Sequence, residues 1–334
     1  MPTVLNTVRD IFGSRDVTVP NPMLNRIEYL SNGAPMPVLG VTTWVYDKTV
    51  PDEIRGAIEK GFLQIEVSTV YKNEELIGRG IKEAIEAGKV KRSDLFVVLK
   101  IWLHDIGIGS ISHNFNESLA KLNLKKVDML VAHTSAAYNK FSENEVKSIW
   151  RQMDKIYISG RTSSIGVANW TEKQIESAMS LKLTDVHLSQ KELDLYYKRN
   201  SHVDFCEVRH IACSKFVTLG SLDHLNCTIL TGFGSTPLDF NDSRERHVIN
   251  LADWQQKTPE QVTLLHAVEN GFIHAPHNMD QSKIDMKYHV GDKLGELLST
   301  KPFDMMFISN METRFVKMIV TPMSIQKKKK KLLK

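Results

Sequence analysis

The chain lacks several features that would assign its class early. No apolar run approaches the ~20 residues that cross a bilayer, so no stable membrane insertion is expected. A secretory leader is not expected either, because Arg9, Asp10 and Gly13 interrupt any apolar core at the start. Asp10 and Asp16 argue against an amphipathic organelle-targeting peptide. Cysteine is scarce. Cys206, Cys213 and Cys227 are an odd trio with no metal-like pairing and no nucleophile arrangement, and reduced thiols of a cytoplasmic protein are the plain reading. His104, His113, His187 and His274 do not fall at ligand spacing, so no metal is expected. No Gly-x-Gly-x-x-Gly turn follows Thr43, which weakens the case for a doubly wound dinucleotide-binding sheet.

Excess positive charge is confined to one end. The formal net charge is +4, but residues 327–334 carry six lysines and no acid, and without them it falls to −2. The body of the chain is slightly acidic, and nothing in it points to nucleic acid. The lysine run reads first as a solvated, disordered terminus, with contact to an anionic surface as the alternative.

What remains is an ordinary globular composition, 42% hydrophobic and 25% charged over 334 residues, enough for one large α/β domain or two smaller ones. Residues 1–26, with Pro2, Pro20 and Pro22, read as an irregular extension. Ile27–Leu30 and Met36–Leu39 flank an Asn32-Gly33 turn and read as a hairpin. Strands and helices then alternate. Strands are expected at Val41–Thr43, Gln64–Val67, Leu95–Lys100, Val127–Ala132, Ser164–Val167, Val186–Ser189, Phe216–Leu219 and Phe272–Ala275. Helices are expected at Pro51–Lys60, Glu74–Ala87, Ile111–Lys121, Glu143–Tyr157, Thr171–Leu181, more weakly at Tyr197–His210, and at Ser243–Gln255, Pro259–Glu269 and Ser282–Tyr288. Eight βα units in about 250 residues is the spacing of a (β/α)8 TIM barrel, here over residues 27–290 with the hairpin at its start. A doubly wound sheet is the runner-up. Residues 291–326 would pack near the barrel mouth through Phe303, Met305, Met306 and Phe307, and 327–334 form the basic tail.

The stretch Gln64–Tyr71 organises the chemistry. Glu66 sits on a strand and Tyr71 on the loop behind it, the next strand ends in Lys100, and the one after that ends in His133. In a parallel barrel these strand ends open on one face, where catalytic groups gather. Lys100 closes the buried run VVLK, and a charge there is costly without a partner. Glu66 is the natural partner. Tyr71 alone would be as readily a packing residue, and His133 alone a structural histidine.

These residues resemble those of the aldo-keto reductase family, over roughly 27–290. Leu30–Trp44 is similar to its hairpin and first strand, Gly61–Gly78 to the segment of its catalytic aspartate and tyrosine, and Leu95–Trp102 to the strand of its catalytic lysine. Val127–His133 resembles its histidine strand, Ser164–Trp170 its nicotinamide turn, Ser189–Tyr197 its NQxExxPY run, and Thr258–Asn278 the segment before its adenosine-phosphate site. The resemblance implies reduction of an aldehyde or ketone by NADPH, with NADH as the alternative. Tyr71 would give a proton to the carbonyl oxygen and His133 would orient the carbonyl. A free phenol, pKa about 10, is a poor acid near neutrality. Lys100, held by Glu66, would favour its ionised form. Trp44 and Trp102, with His133, would line the pocket for a small-molecule carbonyl substrate. Thr43, Ala168, Asn169, Gln190, Phe216, Leu219, Ser221, His277, Asn278, Lys283 and Lys287 fall at cofactor positions. Nothing dictates an oligomer, so a monomer is expected.

The sequence also departs from that pattern. Glu66 stands for the family's aspartate, Thr42 for a glycine, Ala168 for a carboxamide-binding serine, Phe216 for a stacking tyrosine, and Thr134-Ser135 for Trp-Pro. At the phosphate grip His277, Asn278 and Lys283 replace a Lys-Ser…Arg pattern, and Met286 and Lys287 replace the Glu and Asn at adenine. A flexible lysine for an arginine fork implies a weaker hold on a 2′-phosphate. These changes give a second reading: a weak or inactive relative that serves as a binding or structural protein.

Overall fold

The computed structural model describes residues 27–42, 48–104, 110–134, 139–192, 201–216 and 273–274. Two short antiparallel strands, β1 (Ile27–Tyr29) and β2 (Pro35–Pro37), open it. The turn between them is closed by a bond from the Gly33 N–H to the Leu30 carbonyl. Asn32 ties this hairpin to a distant strand, its side-chain amide donating to the Ser163 carbonyl at 2.9 Å and to Ser164 Oγ at 3.1 Å.

Among the described residues eight parallel strands follow: β3 (Gly40–Thr42), β4 (Gln64–Ser68), β5 (Phe96–Trp102), β6 (Val127–His133), β7 (Thr162–Ala168), β8 (Leu188–Glu192), β9 (Ala212–Phe216) and β10 (Ile273–His274). Each pairs with the next in chain order. A doubly wound sheet reverses its strand order part-way, so that runner-up is set aside. The parallel sheet curls into an open half-barrel. Closure into a ring needs β10 to pair with β3, and no such pairing occurs among the described residues.

Helices α1 (Val50–Glu59), α2 (Glu74–Glu86), α3 (Ile111–Leu122), α4 (Glu143–Ile158), α5 (Glu172–Met179) and α6 (Ser201–Val208) connect the strands. Their starts follow local chemistry. Pro51 occupies the first turn of α1, where a missing N–H costs nothing. Capping boxes open α4 and α5, Ser142 with Glu145 and Thr171 with Gln174, each pair satisfying two otherwise orphaned N–H groups.

The period-2 alternation of the strands separates two cores. Val97, Leu99, Ile101, Leu130, Ala132, Ile165 and Val167 face the helices and pack with Ile54, Ile77, Phe115, Trp150 and Ile175. Phe96, Val98, Met129, Val131, Ala168 and Leu188 face the other way and pack with Leu30 and Met36 of the hairpin. The hairpin therefore stoppers the inner face at its N-terminal end.

Most boundaries fall within a few residues of expectation. The strand expected at Phe216–Leu219 is a correction: it runs Ala212–Phe216 and ends where it was expected to begin. Its register is set by bonds from the Ile211 N–H to the Cys206 carbonyl and from the Ala212 N–H to the His187 carbonyl. The weak helix expected at Tyr197–His210 is the shorter α6. The helices expected beyond residue 216, the extension 1–26 and the segments 291–326 and 327–334 lie outside the described residues. Among those described, no helix is long and apolar enough to cross a membrane.

Candidate active site

The inner face turns polar at the C-terminal ends of the strands. Gln64, Glu66 and Ser68 of β4 alternate onto it. On β5, in register with Ser68, stands Lys100. Its ammonium meets Glu66 Oε1 at 2.9 Å, with the two side chains 0% and 1% exposed. Two charges so enclosed are tolerable only as a pair with their remaining lone pairs satisfied. Gln190, on β8, provides that satisfaction: its amide donates to Glu66 Oε2 at 2.7 Å and makes a longer contact with Ser214 Oγ of β9 at 3.3 Å. The extra methylene of a glutamate is thus used to span from β5 to β8, a bridge that aspartate is about 1.5 Å too short to copy.

His133 ends β6 beside this pair. Its Nδ1 lies 3.4 Å from Ser68 Oγ, and its ring meets Trp102 edge-on with centroids 4.8 Å apart. The Trp102 N–H donates to Thr69 Oγ1 at 2.8 Å, which anchors the 3-10 turn Thr69–Tyr71 to the end of β5. Tyr71 ends that turn, three residues beyond Ser68, and is partly exposed. Lys72 then adopts a left-handed conformation, φ 53°, and redirects the chain toward α2.

The opposite rim is built by β7 and β8. Asn169 follows Ala168 with φ 61°, its N–H donating to the Gln190 carbonyl at 2.9 Å and its side-chain amide to the Thr134 carbonyl at 3.1 Å. Thr134 Oγ1 in turn lies 2.8 Å from His104 Nε2. Among the described residues, Thr42 Oγ1, both amide atoms of Gln64, and Gln190 Oε1 are buried polar atoms of the inner face with no hydrogen-bond partner. Buried polar atoms are rarely left unpaired in a site that binds nothing. Gln190 Oε1, beside the ion pair, is an acceptor suited to the N–H₂ of a carboxamide. Its own N–H₂ is already engaged with Glu66.

Of the residues singled out in the sequence, Glu66, Lys100, His133, Trp102, Ala168, Asn169 and Gln190 gather at these strand ends, with Tyr71 on the adjoining turn and Phe216 ending β9. Thr43, Trp44, Leu219, Ser221, His277, Asn278, Lys283 and Lys287 lie outside the described residues. Sequence reasoning missed Ser68 and Ser214, whose small hydroxyls carry no motif. It also passed over one contact of a cysteine: Cys206 lies 3.6 Å from His202 Nε2. The four-residue spacing of His202 and Cys206 on one helix was the available signal.

Residues 40–306 match the family described as the Aldo/keto reductase family. The chain is 26% identical over 308 residues to aldo-keto reductase family 1 member C15 of Rattus norvegicus, covering 86% of this chain and 91% of that protein. It is 26% identical over 272 residues to the NAD(P)H-dependent 6'-deoxychalcone synthase of Glycine max, covering 77% and 82%. Among solved structures, an aldo/keto reductase from Brucella melitensis shares its fold with a TM-score of 0.69 at 23% identity, covering 86% of this chain and 99% of that one.

Proposed function

The chain belongs to the aldo/keto reductase family, and from that premise we propose that it reduces an aldehyde or ketone to the alcohol with a nicotinamide cofactor, on a (β/α)8 barrel whose last strand closes against its first. The observation that carries the proposal is the buried Lys100–Glu66 pair at 2.9 Å, set beside His133 where parallel strands end. A fully enclosed ion pair contributes little to stability relative to apolar packing, so its presence is best accounted for by chemistry.

The cofactor, NADPH or NADH, supplies a hydride to the carbonyl carbon when bound. The Gly-rich turn of a dinucleotide fold is absent, and the fit rests on Gln190 Oε1, a buried acceptor for the carboxamide. Asn169 and Ala168 stand beside it on the neighbouring strand end, and His277, Asn278, Lys283 and Lys287 would meet the phosphates. Tyr71 releases the proton that the new alkoxide takes up. Lys100 places a positive charge near that phenol and eases the proton's departure. Glu66 holds Lys100 against the strand, and His133 orients the carbonyl oxygen by hydrogen bonding. Trp102, with Trp44 at the position expected from the sequence, would form the apolar wall that keeps water from the reacting centre. The chain does this as a cytoplasmic monomer acting on a small molecule.

One observation supports a second reading, a relative that has lost turnover. The Gln190 amide is committed to Glu66 at 2.7 Å, so a carboxamide finds one partner there where two would hold it. Titration of the purified protein with NADPH and with NADH, followed by tryptophan fluorescence, separates the two. Micromolar binding of either, with turnover in an aldehyde screen, supports the reductase. Absence of binding up to millimolar concentrations overturns it.

A further inference from the structure

On the helix-facing side of β8 and β9, behind the strands that carry Gln190 and Ser214, lies a second polar cluster. Ser189 and Lys191 of β8 and Cys213 of β9 alternate onto this side, with Ser189 in register with Cys213. Helix α6 lies over them and contributes His202 and Cys206, one turn apart. Glu172, the first residue of α5, closes the group. His202 Nδ1 lies 2.9 Å from Glu172 Oε1, and His202 Nε2 lies 2.9 Å from Ser189 Oγ and 3.6 Å from Cys206 Sγ. The Cys213 thiol hydrogen-bonds to Cys206. Neither cysteine is part of a disulfide; Cys206 is fully enclosed and Cys213 partly exposed.

The arrangement is that of a carboxylate-oriented histidine next to a thiol, with a second thiol in direct contact. Packing alone does not explain it, since a small apolar residue would fill the place of Cys206 without burying a histidine beside it. Two thiols in contact, one of them 3.6 Å from an imidazole, have the parts needed to close to a disulfide. We propose that Cys206 and Cys213 form a redox-active dithiol, closed to a disulfide by a hydroperoxide and reopened by a small thiol. This stands independently of the reductase reading.

The charges around the pair favour the thiolate form. The Cys213 S–H bond and the hydrogen bond to His202, partly opposed by burial, lower Cys206 from the ordinary thiol value to about 5. The Ser189 hydroxyl adds to this, and the Lys191 ammonium, itself lowered by burial, faces both sulfurs. Thiolate character governs attack on peroxide. The peroxide meets Cys213, the exposed member. A proton shifts across the S–H···S bond onto Cys206, and the Cys213 thiolate attacks. An S–O bond forms as the O–O bond breaks, and the departing hydroxide takes the Cys206 proton to become water. Cys206 then attacks the Cys213 sulfenic sulfur, the S–S bond forms, and the second oxygen leaves as water after protonation. Two thiols and one hydrogen peroxide thus give one disulfide and two waters.

The test uses the full chain, reduced, desalted, treated with hydrogen peroxide, blocked with N-ethylmaleimide and digested with trypsin. Cleavage after Arg199, Arg209 and Lys215 places Cys206 on residues 200–209 and Cys213 on residues 210–215, while Cys227 falls on a later peptide. The expected product is a linked 200–209/210–215 pair that dithiothreitol separates. Its formation rate in the unaltered chain should rise with an inflection well below the ordinary thiol value near 8.5, and His202→Asn should slow it at least fivefold at pH 6.5. Linkage of either cysteine to Cys227, sulfinic acid on an unlinked peptide, or a pH inflection at the ordinary thiol value would each overturn the proposal. The pH profile of the unaltered chain decides the matter if His202→Asn does not fold.

Discussion

Gln190 and Glu66, 124 residues apart in the sequence, meet side chain to side chain at 2.7 Å. The carboxylate that grips Lys100 is thereby also the group that occupies the Gln190 amide.

Shortening that carboxylate should separate the two roles. Glu66→Asp cannot reach both Lys100 and Gln190, and the charged contact with Lys100 is the stronger one to keep. The freed Gln190 amide should then join its Oε1 in holding a carboxamide. The expected result is several-fold tighter NADPH binding, equivalent to one hydrogen bond of about 1 kcal/mol, by fluorescence titration. Unchanged or weaker binding would show that the Gln190–Glu66 bond is irrelevant to the cofactor.

Removing the cation should cost far more than removing the pair. Lys100→Met leaves Glu66 charged and enclosed at 1% exposure. The expected loss is about 3–5 kcal/mol in urea unfolding. Lys100→Met combined with Glu66→Leu should recover much of it, and equal losses in both variants would contradict this account.

His187 should make the fold acid-sensitive. Burial lowers its pKa below the ordinary 6.5, and its Nδ1 accepts the Ile165 N–H at 3.0 Å. The folded state resists a proton that the unfolded chain takes, so stability rises with pH in this window. It is complete above about 6.5 and lost as pH falls below that value. Thermal unfolding at pH 5 and pH 7.5 should show the drop, and His187→Asn should reduce it. Cys206, also lowered, adds a contribution of the same sign that is full only above the ordinary thiol range. Cys206→Ser should therefore remove a gain between pH 7 and pH 9, a window in which His187 is silent.

Gly78 should not accept a side chain. A Cβ there would stand 2.6 Å from the Leu122 carbonyl oxygen at the end of α3. Alanine gains about 1 kcal/mol in helix propensity, but the backbone contact must be pushed apart at about 1–3 kcal/mol. A lower melting temperature for Gly78→Ala is expected, and a higher one would mean that α2 and α3 separate freely.

The order of β3 to β7 was legible because these strands carry β-branched or apolar runs and amphipathic helices follow them, as in Gln64–Ser68 and α2. The Lys100–Glu66 contact was legible because a lysine closing a buried run demands an acid. The strand Ala212–Phe216 was not, since Ala, Cys, Ser and Lys carry little strand preference and its place is fixed by bonds to α6 and His187. Nor was the Gln190–Glu66 bond, which depends on side chains reaching across the curled sheet. The thiol cluster was half visible: His202 and Cys206 share a helix face, but Cys213 joins them only once the register of β9 is known.

The hairpin gives the described strands a floor. With Leu30 and Met36 seated against Phe96, Val98 and Met129, and Asn32 stitching the turn to Ser163 and Ser164, the inner face is covered at its N-terminal end. Loss of the hairpin would bare Phe96, Val98 and Met129 from below while leaving the residues that hold the Lys100–Glu66 pair untouched.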